Sequence, residues 1–166
     1  MTEPRQSLYR DVVSRLAIFL LLSASAWGQT LEIAPAAVDR GSSNIFRILF
    51  KSAAGHPVSA LQWELAFPDS LRIEARGVVT TDDSDASGKS VACAARPDRD
   101  AQHILACIIA GGRSTLPAGA IVIVRFSAPS DAPIGPATVA LENIVGVSNT
   151  LERVSMARAT GLITIR

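Results

Sequence analysis

Three aspartates, Asp82, Asp83 and Asp85, stand together in the polar run Thr81-Asp82-Asp83-Ser84-Asp85-Ala86-Ser87-Gly88. Clustered carboxylate oxygens are what a hard cation coordinates, so this run is a candidate calcium site. Its spacing completes no calcium-loop motif, and adjacent acids in a polar loop are ordinarily just solvated. No other cofactor is expected. The chain has two histidines, His56 ahead of a proline in a turn and His103 at the head of an apolar run. There is no Gly-x-Ser-x-Gly elbow, no His-Glu-x-x-His pair and no glycine-rich phosphate loop. Nothing therefore sets a nucleophile beside a base, and no catalytic residue is expected.

The two cysteines carry a different chemistry. Cys93 and Cys107 are equidistant in sequence from Asp100, the middle of a turn begun by Pro97-Asp98-Arg99. If the flanking segments pair as a hairpin, the two thiols face each other and can oxidise in a disulfide-permissive compartment. Closing a loop of about 15 residues would stabilise by about 3 kcal/mol in the chain-entropy account. The alternative is a pair of buried thiols acting as small hydrophobes. Neither histidine lies at metal-ligand spacing from them.

The elements that must position these residues are strands. In Ala60-Leu61-Gln62-Trp63-Glu64-Leu65-Ala66-Phe67 the large apolar residues fall two apart, so an extended strand puts Leu61, Trp63, Leu65 and Phe67 on one face. Ala60, Gln62 and Glu64 take the other face. Pro68-Asp69-Ser70 stops the strand, and Leu71 to Thr80 resumes the alternation with Leu71, Ile73 and Val78 directed to the core. Leu31-Glu32-Ile33, ended by Pro35, and Ile45 to Lys51 precede it. Ser90 to Ala94, His103 to Ala110, Ala120 to Phe126, Ala137 to Leu141 and Gly161 to Ile165 follow, separated by Gly, Pro and Asp. No segment shows a capped helical period, and Thr81 to Gly88 reads as a loop. About nine short strands with turn residues between them predict an all-β chain, a single antiparallel β-sandwich spanning residues 29–166.

Residues 1–28 read as an address. Arg5, Arg10 and Arg15 precede the apolar run that starts at Leu16, and Ala24-Ser25-Ala26 and Ala26-Trp27-Gly28 offer small residues for cleavage after Ala26 or Gly28. This is the layout of a secretory signal peptide, and the uncharged run is shorter than the roughly 20 residues a membrane-spanning helix needs. The expected destination is the extracellular medium or the periplasm, with no membrane attachment after cleavage. Of the 16 Lys+Arg and 15 Asp+Glu, residues 1–28 take three and two, so the remainder carries 13 of each and no net charge. That balance lacks the basic face of a nucleic-acid binder. With Tyr9, Phe19 and Trp27 removed, Trp63, Phe46, Phe50, Phe67 and Phe126 are the aromatics left, all on alternating apolar positions that read as core.

The order of these segments resembles the cohesin family. Leu65-Ala66-Phe67-Pro68-Asp69-Ser70-Leu71 is similar to a cohesin signature in which a hydrophobic strand ends in an aromatic-Asp-Pro turn and a leucine. Gly88-Lys89-Ser90-Val91, His103 to Gly112, Pro117 to Phe126 and Ser127-Ala128-Pro129 recur in the family's order, over almost the whole of residues 29–166. The turn Phe67-Pro68-Asp69 is shorter than the family's usual form. The resemblance implies a non-catalytic jelly-roll sandwich that binds a dockerin-like or other secreted protein in extracellular polysaccharide binding or degradation. Gln62 and Glu64 then stand where cohesins present polar contacts to a partner, and an ordinary solvated sheet position is the plainer reading of Gln62. The second reading is a stand-alone carbohydrate-binding module, which the lack of exposed aromatic rings disfavours.

Overall fold

Burial follows the two-residue alternation of the central strand. In β4 (Val58–Pro68), Leu61, Trp63, Leu65 and Phe67 are at most 3% exposed, while Gln62 on the opposite face is open to solvent. The computed structural model describes residues 28–53 and 57–166. His56 and residues 1–27 of the expected signal peptide lie outside the described residues.

Around β4 the chain forms two layers. The smaller sheet runs β1 (Thr30–Ile33), β3 (Ser43–Lys51), β8 (Gly119–Ser127) and β5 (Arg72–Thr80), in that order. The larger runs β2 (Ala36–Val38), β11 (Ala159–Ile165), β9 (Gly135–Ser148), β4, β7 (Gln102–Ala110) and β6 (Ser90–Arg99), with β10 (Arg153–Ser155) added on β9. Phe46, Ile48 and Phe50 of β3 and Val122, Val124 and Phe126 of β8 meet the β4 row between the layers. Phe46 and Phe126 pack as a tilted pair with centroids 5.7 Å apart. The Trp63 indole nitrogen is buried with no hydrogen-bond partner among the described residues, so packing alone holds that ring.

The all-β sandwich expected from the sequence is the observed fold, with more strands than expected. Pro35 ends β1 as anticipated, but the next three residues cross to the other sheet as β2. There they run parallel to β11, Ile163 opposite Ala36, the one parallel pairing among the described strands. One N-terminal segment thus borders both layers. The expected loop after Thr80 contains a single helical turn, α1 (Asp82–Ala86), fastened by Ser84, which is buried and donates through Oγ to the Ile121 carbonyl at 3.0 Å. Asn143, at φ 50°, lets β9 continue through an irregularity well past Leu141.

The cysteines pair as expected. Cys93 and Cys107 stand opposite in the β6–β7 ladder with Cα atoms 4.1 Å apart, and they are disulfide-bonded. The turn is the pair Asp100 and Ala101, centred half a residue beyond Asp100, both with positive φ as a tight hairpin requires. Between Arg96↔Ile104 and Arg99↔Gln102, Pro97 and Asp98 face His103 alone. This bulge absorbs the extra residue and restores the register that brings the cysteines together. Because Trp63 pairs with Cys107, the row Trp63–Cys107–Cys93 spans three strands on the inner face.

Lys89, which the sequence did not mark, is 3% exposed. Its Nζ donates to the carbonyls of Ser59 at 3.0 Å, Gly111 at 2.6 Å and Ser114 at 2.5 Å, tying the start of β4 to the end of β7 and the loop that follows. Burial lowers its pKa from the ordinary lysine value.

Replacing both Cys93 and Cys107 by serine should lower stability by about 3 kcal/mol, read as an earlier urea midpoint, with the reduced wild type behaving alike. Coincident curves for oxidised and reduced protein would contradict this role.

Candidate functional site

The outer face of the larger sheet is ordered in rows by strand register. One row runs Ala92 (β6), Ile108 (β7), Gln62 (β4) and Val145 (β9). Ile108 is 45% exposed, and Val145 is half-buried. Gln62 is exposed and makes no side-chain hydrogen bond among the described residues, so its amide can both donate to and accept from another molecule. The row is therefore an apolar strip with one uncommitted amide near its middle.

The next row contains Ala94, Ala106, Glu64 and Glu142. Two carboxylates directly opposite each other on neighbouring strands would repel. Two arginines and an asparagine hold them. Arg99 donates through Nη1 to Glu64 Oε2 at 3.3 Å and through Nη2 to Glu142 Oε2 at 2.5 Å. Arg158 Nη2 lies 2.8 Å from the other Glu142 oxygen, Oε1. Asn143 completes the set by donating through Nδ2 to Glu64 Oε2 at 2.7 Å, aimed there by its positive-φ position in β9. The glutamate side chains retain only 18% and 20% of their exposure, so the four charges form a neutral, half-buried network.

Beyond it, Ile104, Ala66 and Ala140 form a small buried cluster on this outer face. Arg99 starts one row beyond them, opposite Gln102, and ends on carboxylates one row before them. Arg99 thus spans, from its backbone to its guanidinium, the row that holds this cluster.

Of the two residues singled out on this face, Gln62 is available and Glu64 is committed to the network. The sequence did not mark Arg99, Glu142, Asn143 or Arg158. The one available signal was an acid at 142 continuing the alternation of Thr138 and Ala140. The acids of the calcium candidate lie on α1. Asp82 and Asp83 are successive residues of a helical turn, about 100° apart around its axis, and Asp85 accepts a hydrogen bond from Thr80 Oγ1. Among the described residues no group of three or more His, Cys, Asp or Glu converges to hold a metal. His103 sits at the end of the sandwich between two carboxylates, Nε2 2.8 Å from Asp69 and Nδ1 3.1 Å from Asp98, with its ring 5.4 Å from that of Phe67. No helix among the described residues is long and apolar enough to cross a membrane.

No family model matches the chain, and no curated protein matches it. Solved structures do. A non-cellulosomal cohesin from the hyperthermophilic archaeon Archaeoglobus fulgidus superposes with a TM-score of 0.62 at 16% identity, covering 84% of this chain and 91% of that one. A cohesin solved in a type I cohesin–dockerin complex from Clostridium thermocellum gives 0.65 at 9% identity, covering 84% and 99%. The cohesin module of a family 33 glycoside hydrolase from Clostridium perfringens gives 0.63 at 8%, covering 84% and 96%. The chain has the cohesin-like jelly-roll fold that its strand order resembles.

A double-mutant cycle on Glu64→Ala and Arg99→Ala should return a coupling of about 0.5–1 kcal/mol in unfolding free energy, smaller at high salt. Strict additivity would show that the network is not held in solution.

Proposed function

We propose that this chain is a secreted, non-catalytic binding module that docks a dockerin-like protein segment on the outer face of its larger sheet. The observation that carries the reading is the row Ala92–Ile108–Gln62–Val145, an apolar strip with a free amide beside a self-neutralised ion network. Such a surface offers apolar burial around one central amide, with charged groups at its margin, a combination suited to a recognition patch. The network contributes by holding its arginines and glutamates in fixed positions, so that docking orders few further side chains. The likeness to cohesins, one of them solved in a complex with a dockerin, supports a protein as the occupant.

An extracellular polysaccharide-handling setting is part of this proposal. The N-terminal leader pattern and the Cys93–Cys107 disulfide support export. The carbohydrate-binding alternative is weaker because Trp63, Phe46, Phe50, Phe67 and Phe126 are all at most 3% exposed, leaving no Phe, Tyr or Trp ring among the described residues for a sugar to stack on.

The test is capture. Immobilised oxidised protein is exposed to a purified type I dockerin and to secreted proteins of the source culture, with insoluble cellulose, xylan and chitin in parallel. The reading expects a dockerin-bearing protein to be retained, and Gln62→Arg or Ile108→Asp to weaken retention about tenfold or more, the cost of one central interface residue. Retention on a neutral polysaccharide with no protein captured would overturn it, as would capture indifferent to both substitutions.

A further inference from the structure

The smaller sheet carries an independent feature on its own outer face, on the opposite side of the molecule from the row around Gln62. In the β5–β8 ladder, Ile73 faces Phe126 and Val78 faces Val124. Between these pairs the four residues Glu74 to Gly77 stand against the single residue Arg125. A strand with that excess arches away from its neighbour, and β5 is free to do so because it is the edge of its sheet. Gly77 closes the arch onto β8, where a Cβ would stand 3.3 Å from the Arg125 carbonyl oxygen. The arch opens a groove of about 470 Å³ lined by Ser43, Arg72, Glu74, Arg76, Arg125 and Ser127.

The charge in and around this groove is one-sided. Glu74 is paired through Oε2 with Arg76, whose Nε donates to it at 2.5 Å, which leaves Oε1 able to accept. Arg72 is oriented by its own turn, donating through Nη1 to the Asp69 carbonyl at 2.9 Å. Arg72 and Arg125 have no carboxylate partner among the described residues. Neither has Arg47, which lies on the same face two positions along β3 from Ile45, the residue opposite Arg125. Elsewhere on this face the cation Lys51 is matched by Glu32 at 2.6 Å. Two guanidinium groups without a carboxylate partner thus share one groove with two serine hydroxyls and one carboxylate.

We propose that this groove binds an anionic polysaccharide, a chain of uronate residues. Guanidinium forks suit sugar carboxylates, which they can engage through two parallel hydrogen bonds. Ser43 and Ser127 can donate to or accept from ring hydroxyls, and Glu74 can accept from them. The same Glu74 disfavours a uniformly acidic peptide, which has no hydroxyl to offer it. Recognition here needs no aromatic platform, so the burial of every aromatic ring of the domain does not count against it.

The test is binding of the full-length oxidised protein to polygalacturonate by titration calorimetry, with polyglutamate and a neutral galactan as comparison polymers. Saturable binding to polygalacturonate is expected, weaker as salt rises from about 50 to about 500 mM because exposed charges are screened. Arg72→Ala with Arg125→Ala should weaken it at least about tenfold, since each removes a charge-assisted contact. Arg113→Ala, an exposed arginine outside the groove, should leave it unchanged, and far-ultraviolet dichroism confirms that each variant is folded. Absence of binding would overturn the proposal. So would equal affinity for polyglutamate, or an equal loss on Arg113→Ala. Because the row around Gln62 lies on the other sheet, failure here leaves dockerin capture untouched, and the reverse also holds.

Discussion

Burial of Leu61, Trp63, Leu65 and Phe67 between the layers is the constraint on which the rest of the molecule depends. Each such side chain contributes about 1.5–3 kcal/mol when fully buried, so together they match the net stability of a typical domain. The same burial fixes the strand's phase. A one-residue slip would send Trp63 to solvent and Gln62 into the core, reversing both faces at once. The Cys93–Cys107 disulfide lies in the row of Trp63, so a covalent bond reinforces the register that packing selects.

Polar groups are then placed where that register leaves them. Opposed Glu64 and Glu142 would destabilise the sheet without Arg99 and Arg158, and Asn143 reaches Glu64 only because β9 is irregular there. Lys89 is handled differently, by three carbonyls and no carboxylate. Both arrangements satisfy charges withdrawn from water, the condition for tolerating them there. In each sheet an irregularity also shapes the outer surface. In β9 it completes a neutral network, and in β5 it opens a cationic groove.

Period-two alternation made the sandwich, the β4 core row and the cysteine pairing legible in the sequence, because burial and hairpin symmetry are local signals. What escaped were features set by distant partners. The strand β2 is three residues long and pairs with β11, far along the chain, so no local pattern announces it. Asn143 in its positive-φ position looks like any polar residue after a strand. Glu64 was readable as an outward residue, but its engagement with Arg99 depends on a bulge near Pro97 that composition does not reveal. The acids at 82, 83 and 85 read as a loop in sequence because a single helical turn is too short to show a helical period.

Docking of a dockerin on the face that carries Gln62, as proposed above, is tested most directly by backbone amide chemical shifts. Isotope-labelled protein titrated with a dockerin module should show its largest perturbations at Gln62, Ile108 and Val145, with smaller ones across Glu64 and Glu142. Amides of β3, β5 and β8 should stay in place. Perturbations confined to those three strands, or none at saturating dockerin, would contradict the account.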